Sequence, residues 1–492
     1  MVLNGNSPRR DHAIQNLALI MLSFLFLPLD LVILALSYAR KITARTRRRR
    51  RTGALAGSRN PKTILVTGVG MTKGLFLARN FYIAGHRVIG ADFEACGIPC
   101  PGRFSYALEK FYRLQQTTAS GGSAAYIQGL LDVILKEKVD IWVSCSGVAS
   151  AVEDGEAKEI VEKRTKCRAI QFEVADTQTL HEKNTFIERT KEIGLNVPET
   201  HTITNRAAVE EVLRKAPVGR TYLLKTIGMD DANRGGVLLP KKSDAETAAS
   251  LSKLEKSISK DNPWIMQQFV HGEEFCTHSL IVRGKVKAFL ACPSSELLMH
   301  YAALPADSAL SKAMLKFTDT YAASSGKDFT GHLSFDFLVE DTTPMIPEEL
   351  VLYPIECNPR AHTAVCLFNG TSELVNGYLD LLDESSDNQI KPIVTPLRTD
   401  RYYWIGHDLV EFVLAPITGL IRGQTSFSEL FDGLRSFGGH VLSWKDGTYE
   451  IWDPLPWFAL YHLYWPLQFL HCLSSGRKWS RLNVSTLKMF EC

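Results

Sequence analysis

Five short segments, in one order between residues 181 and 360, constrain the fold of this 492-residue chain more than any other feature. The first is His181-Glu-Lys183-Asn-Thr-Phe, which runs through a helix to Gly194-Leu-Asn-Val-Pro198, so that a lysine opens the helix and a Gly-Pro turn closes it. The second, Tyr222-Leu-Leu-Lys225-Thr, sets a lysine at the end of an apolar strand, where its charge can meet phosphate. The third, Gly228-Met-Asp-Asp-Ala-Asn-Arg234-Gly235-Gly236, is a glycine-rich loop able to fold its amides over a polyphosphate. The fourth, Trp264-Ile-Met-Gln267-Gln268-Phe-Val270-His-Gly-Glu-Glu274, is a strand, a glycine turn and an acid on the next strand. The fifth joins Gly331-His-Leu-Ser-Phe-Asp336-Phe to Tyr353-Pro-Ile-Glu356-Cys-Asn358-Pro-Arg360, two strands that present Asp, Glu and Asn. Taken singly, a strand-end lysine is a solvated charge and Glu-x-Asn is turn chemistry. Their ordered coincidence is what points to function. Few carboxylates and an amide suit Mg²⁺, which keeps waters and takes its remaining ligands from phosphate. Phosphoryl transfer in turn needs chiefly positioning and charge neutralisation.

Ahead of these segments, Lys62-Thr-Ile-Leu-Val-Thr67-Gly68-Val-Gly70-Met-Thr-Lys-Gly74 reads as strand and glycine turn, Leu75 to Ala84 as helix, and Arg87-Val-Ile-Gly-Ala-Asp92 as a strand ending in an acid. A helix over 124–138, a buried strand over 139–146, a charged helix over 149–164 and a strand over 168–172 follow, so a parallel sheet covered by helices is expected. The glycine turn alone leaves two readings open, a dinucleotide site or a packing turn. Asp92 likewise either binds a ribose hydroxyl or caps a neighbouring turn.

Together the five segments and the preceding α/β unit, over roughly residues 62–370, resemble the ATP-grasp superfamily, with Glu356-Cys-Asn-Pro-Arg360 as the most specific element. The resemblance implies a Rossmann-like domain followed by an ATP-grasp fold, an overall α/β and α+β architecture. It also implies roles. Lys183 and Lys225 would contact phosphate, Gly235 and Gly236 form the tip of a lid, Gln267, Gln268 and Val270 read adenine, and Glu274 hold the ribose. Asp336, Glu356 and Asn358 would ligate Mg²⁺, with Mn²⁺ as a substitute, and Arg360 would steady the transferred phosphoryl group, with Lys225 sharing the catalytic role. Two departures bear on substrate geometry: a glutamine opens the hinge where an acid is common, and Ser334 stands where several ligases place an arginine. Gly90-Ala-Asp-Phe93, Leu333-Ser-Phe-Asp-Phe and Tyr353-Pro-Ile-Glu-Cys-Asn-Pro-Arg look most like the ligase of mycosporine biosynthesis and its fungal relatives. The implied reaction is an ATP-dependent C–N ligation that phosphorylates a small acid or enol, joins it to an amino acid or amine, and releases ADP and phosphate. Two other classes stay open, an NAD(P)-dependent oxidoreductase using the first glycine turn and an inactive ATP-binding scaffold.

Charge separates the N-terminal arm from the rest of the chain. Residues 1–51 hold ten Lys/Arg against two acids, whereas the remaining 441 carry a net of about −5. Leu17 to Tyr38 is a twenty-two-residue apolar run broken only by Pro28 and Asp30, with Arg40, Lys41, Arg45 and Arg47 to Arg51 behind it. Such a run reaches across a bilayer core and places its basic flank in the cytosol. A carboxylate near the centre costs about 2.5–3.5 kcal/mol on insertion scales, so a hairpin returning at Pro28–Asp30 competes with a single span. The basic run reads as a juxtamembrane belt and no nucleic-acid partner is expected. The segment Pro454 to Ser474 has no formal charge and reads either as a membrane-interface segment or as a helix packed on the grasp domain. Ten scattered cysteines read as reduced cytosolic thiols, and His271, His278, His332 and His362 fit no zinc spacing. The expected division is 1–56 as anchor and polybasic linker, 60–178 as Rossmann-like domain, 179–395 as grasp and 396–492 as C-terminal extension. The expected location is the cytosolic face of the ER, another endomembrane or a lipid droplet.

Overall fold

Apolar runs bounded by glycine turns form parallel strands in a computed structural model of the chain. The structure describes residues 3–51 (side chains to residue 40), 60–116, 122–145, 147, 151–217, 219–226, 236–254, 257–295, 299–340, 350–383 and 391–492. Two compact units divide the chain: Met1–Glu173 with Ser295–Ala303 and Arg360–Cys492, and Val174–Ser294 with Leu304–Pro359. The first unit therefore takes in the anchor, the first α/β segment, the C-terminal extension and also residues 360–395, which the sequence grouped with the grasp.

In the first unit, helix α1 (Arg9–Arg51) precedes strands β1 (Thr63–Thr67), β2 (Arg87–Phe93), β3 (Lys110–Leu114), β4 (Ile141–Val143) and β5 (Arg168–Ile170). These strands pair in parallel in the order β3-β2-β1-β4-β5. Helices α2 (Thr72–Ile83), α3 (Ala124–Glu137) and α4 (Ala151–Arg164) connect them. Ile64, Leu65, Val66, Ile141 and Trp142 are fully buried, as strands covered on both faces require.

Protein fills the glycine turn after β1. Asp92 accepts hydrogen bonds from the amides of Gly70 at 2.6 Å and Phe93 at 2.7 Å, and Thr72 N donates to the Ser485 carbonyl at 2.9 Å. A Cβ on Gly102 would lie 1.9 Å from the Val69 carbonyl, and one on Gly70 would lie 3.1 Å from Leu487. Residues 64–79 are all buried. Asp92 is a turn cap, and the amides of Gly68, Gly70 and Thr72 are bonded within the protein, which favours the packing-turn reading over the dinucleotide one.

Helix α1 is continuous through Pro28, so the chain does not reverse at Pro28–Asp30. Its polar residues Asn16, Ser23, Asp30 and Ser37 are each seven apart, two helical turns, and so fall on one stripe. That stripe faces the C-terminal segment. Asn16 accepts from Trp479 Nε1 at 2.8 Å, Ser23 Oγ lies 3.0 Å from His462 Nδ1, Asp30 pairs with His462 Nε2 at 2.7 Å, and Ser37 Oγ lies 2.7 Å from the Tyr449 hydroxyl. Large apolar side chains of α1, among them Leu17, Met21, Phe24, Leu25, Leu29 and Leu36, point outward. The aromatic segment 455–475 buries Trp457, Leu460, Tyr464, Trp465 and Phe469 in this unit, where it packs on α1 and on the turn Pro101–Phe104.

The second unit contains two antiparallel sheets. One has the order β6-β9-β7-β8, from β6 (Thr200–Ile203), β7 (Tyr222–Thr226), β8 (Val237–Leu239) and β9 (Trp264–Gln268). The other is built from β10 (Gly272–Val282), β11 (Lys285–Pro293) and, after the short β12 (Tyr301–Ala302) of the first unit, β13 (Gly331–Glu340) and β14 (Leu352–Asn358), ordered β11-β10-β13-β14. Helices α5 (Val174–His181), α6 (Lys183–Glu192), α7 (Arg206–Lys215), α8 (Asp244–Leu254) and α9 (Ala309–Ser324) complete it. The expected α/β and α+β class is what the chain forms.

One buried ion pair ties the C-terminal extension to the parallel sheet. Arg79 of α2 holds Asp453 at 2.9 Å and donates to the carbonyls of Thr448 and Asp453, while Asp453 also accepts from Ser105 Oγ and Tyr106 N. Both side chains are nearly inaccessible, at 5% and 1% exposure. Removing one partner strands a buried charge, so Asp453→Ala is expected to destabilise the protein by about 3–5 kcal/mol. A drop in the denaturation midpoint of the detergent-solubilised chain, with Lys445→Ala as the exposed control, measures it.

Candidate functional site

Alternation along β13 builds the site. Phe335 and Phe337 pack on Phe317 and Tyr321 of α9 and on Phe186 of α6, with ring centroids 4.9–5.8 Å apart. Ser334 and Asp336 therefore face the other way. In register, Asp336 lies opposite Glu356 and Ser334 opposite Asn358, so four polar residues form one patch on adjacent strands. Cys276 stands opposite Asp336 on β10, which puts Glu274, two residues earlier, on that same face. Two carboxylates directly opposed on neighbouring strands repel unless a cation lies between them. Asn358 Nδ2 donates to Asp336 Oδ2 at 3.2 Å, and the buried Ser334 Oγ has no hydrogen-bond partner among the described residues.

The lysines converge on this patch. Phe186 anchors the first turn of α6 to β13, and Lys183, which opens that helix, reaches Glu356 at 3.9 Å. Lys225, at the end of β7, donates to Gln267 Oε1 at 2.7 Å. Burial and the neighbouring Lys183 push the Lys225 ammonium down to about 8, with Glu356 pulling the other way. Gln267 also donates to Thr200 Oγ1 at 3.3 Å, so its amide is engaged on both sides and holds Lys225. Gln268 accepts from the amide of Glu199 at 3.3 Å, and Val270 is buried. Glu274 is exposed and accepts from Ser294 Oγ at 2.7 Å. Gly236 stands at the entry to β8, where a Cβ would lie 2.6 Å from Leu223, and so is packed against β7 instead of forming a loop tip. Gly235 lies outside the described residues.

Arg360 lies in the first unit, near Lys73 of α2. Lys73 is almost fully buried, and burial with the Arg360 charge lowers its ammonium to about 7. The sequence reading placed Lys73 only in a glycine turn. The buried positions around it, from Ile64 to Arg79, are the signal that this lysine is not a solvated charge. Thr200, which opens β6 just after the Gly-Pro turn of the first segment, joins the site by accepting from Gln267.

No protein-family model and no curated protein matches the chain. Among solved structures, the chain is similar to N5-carboxyaminoimidazole synthetase from Staphylococcus aureus complexed with ADP, at 14% identity and a TM-score of 0.48 over 70% of this chain and 82% of that one. It is also similar to an L-amino acid ligase from Bacillus licheniformis, at 15% identity and 0.44 over 68% and 78%. A biotin carboxylase from Campylobacter jejuni, in a β-γ-ATP complex, shows 15% identity and 0.47 over 68% and 72%.

An anion arriving beside Lys225 stabilises its protonated form and raises its pKa from about 8. Binding of a phosphate-bearing anion there takes up a proton wherever the free lysine is neutral. With ADP as the probe anion, any affinity is expected to hold below pH 8 and to fall up to tenfold per unit above it. Lys225→Arg should flatten that dependence over pH 7–9.5; calorimetric titration across the range reads both.

Proposed function

From an ATP-grasp fold that gathers Lys183, Lys225, Asp336, Glu356 and Asn358 on neighbouring elements, we propose that the protein is a membrane-attached, ATP- and Mg²⁺-dependent C–N ligase. The opposed pair Asp336 and Glu356, with Lys183 beside it, carries this reading: two acids, an amide and a serine hydroxyl form a hard-oxygen patch that a divalent cation would neutralise. Asp336, Glu356 and Asn358 would hold Mg²⁺, or Mn²⁺ in its place, and the ion would supply charge neutralisation at the phosphates. Lys183 and Lys225 neutralise the remaining phosphate charge, with Gln267 fixing Lys225. Gln268 and Val270 line the adenine, Glu274 takes the ribose hydroxyls, and the glycine loop that ends at Gly235 closes over the phosphates, with Gly236 as its packed base on β7. Gln267 is better suited to positioning than to reading adenine, because both ends of its amide are occupied.

The acceptor is a small acid or enol. Lys73 and Arg360, neighbouring cations with the lysine buried, favour an anionic substrate in the first unit. Its oxygen attacks the γ-phosphorus as ADP leaves, and the amine of an amino acid or similar partner then displaces phosphate and loses a proton. Arg360 steadies the transferred phosphoryl group. The finer likeness to mycosporine-type ligases selects a cyclohexenone enol as the first acceptor to try.

Full-length enzyme in detergent, given Mg-ATP with pools of acids and amines, should release ADP and phosphate only when both pools are present. AMP with pyrophosphate, or no turnover with any pool, contradicts the reading. Glu356→Gln removes a metal ligand with little change of volume, so turnover should fall at least 100-fold while the thermal midpoint stays within a few degrees.

The outward apolar face of α1 is the proposed bilayer contact, with the basic run from Arg40 to Arg51 at the anionic headgroups. An endomembrane or lipid-droplet surface facing the cytosol fits that arrangement. Because the polar stripe of α1 is held by the C-terminal segment, truncating the anchor would strip a structural partner from His462 and Trp479. Phe24→Glu with Leu25→Glu, on the outward face, should instead release the intact protein from anionic vesicles in flotation; persistent flotation would place the bilayer contact elsewhere.

A further inference from the structure

The structure assigns a metal site to the first unit that is separate in ligand chemistry from the nucleotide site, and we propose that it takes a Zn²⁺-class transition ion. Three side chains far apart in sequence supply it. His300 precedes β12, Asp408 ends the short helix Ile405–Asp408, and His440 lies on the helix Phe427–Ser443. His300 Nε2 is 2.8 Å from Asp408 Oδ1 and His440 Nδ1 is 2.6 Å from Oδ2, and all the ligating atoms lie within 4.8 Å of one another.

Several features argue for a cation at this point. Asp408 is completely buried, and among the described residues its ion-pair partners are these two imidazoles alone. A buried carboxylate is costly unless a positive charge compensates it. The two rings stand 4.8 Å apart at 76°, so they are not stacked on each other; each turns a nitrogen edge to the same carboxylate. Aromatic rings surround them: Phe412 stacks on His300, Trp444 packs on both imidazoles at 4.8 and 4.3 Å, and Tyr403 lies 6.1 Å from His440. The histidine side chains keep 19% and 17% exposure, so the trio is not sealed from solvent.

Ligand type selects the ion. Two imidazole nitrogens and one carboxylate suit Zn²⁺, Co²⁺ or Fe²⁺, whereas Mg²⁺ prefers an all-oxygen shell of the kind found around Asp336. Three protein ligands and one open position make a site that both ties the elements together and can bind a small donor. The site would join Ser295–Ala303, an insertion from the middle of the grasp sequence, to the C-terminal helices of the first unit.

Tag-free full-length protein in detergent is stripped with a chelator and titrated with Co²⁺, then Zn²⁺. Wild type should take up about one equivalent of Co²⁺ with visible d–d absorption that Zn²⁺ abolishes, and Zn²⁺ should raise the thermal midpoint. The double variant H300Q/H440Q keeps side-chain volume and a donor toward each Asp408 oxygen while removing both nitrogen ligands. It should fold, show the same Mg-ADP thermal shift as wild type, and lose the cobalt spectrum and the Zn²⁺ stabilisation. Stoichiometric metal retained in that variant overturns the assignment. So does wild type that binds neither ion more tightly than the variant, which would leave the trio as a proton-sharing hydrogen-bond cluster.

Discussion

The opposition of Asp336 and Glu356 across two antiparallel strands is the constraint around which the second unit is built. Neither acid can move away, because each is fixed by what its neighbours do on the other face. Phe335 and Phe337 are fully buried against α6 and α9, so the aromatic core sets the register that forces the carboxylates together. A one-residue slip would exchange the two faces, placing acids in the aromatic core and phenylalanines in the site. Packing on one side of β13 thus fixes where the acids stand on the other.

Much of this was legible in the sequence because alternation of period two is local. Leu333-Ser-Phe-Asp-Phe announces which residues face which way, and Lys183 and Lys225 sit at element ends that turn chemistry marks. The parallel sheet of the first unit was legible for the same reason, its apolar runs and glycine turns being short-range signals. Long-range pairings were not. Nothing near Gln267 in sequence says that its amide is used up by Lys225 and Thr200, and nothing near Gly70 says that Leu487 and Ser485 fill the turn in which a dinucleotide would lie. Residues more than 300 positions away supply the contacts of that turn.

Helix α1 shows a subtler failure. Asp30 looked like a penalty inside an apolar run, and a hairpin was the natural way to relieve it. The pattern that resolves the conflict was present: Asn16, Ser23, Asp30 and Ser37 repeat every seven residues, a stripe that belongs to helix pairing and not to lipid. What the sequence did not name was the partner, since His462, Tyr449 and Trp479 lie over 400 residues downstream. Helix α1 thus has two faces, a polar stripe bonded to protein and an apolar face that is exposed.

The same logic links the stripe to the rest of the first unit. His462 and Tyr449 belong to a C-terminal extension that Asp453 fastens to Arg79 and Ser105, and Trp404 of that extension donates to Thr72 at the start of α2. Thr72 is followed by Lys73, whose ammonium is pushed down to about 7 by burial and by the nearby Arg360 charge. The C-terminal extension thus bonds both to α1, through its polar stripe, and to α2, at Arg79 and Thr72. It is an integral part of the first unit, because the helix it holds and the helix that carries Lys73 depend on the same segment of chain for their polar partners.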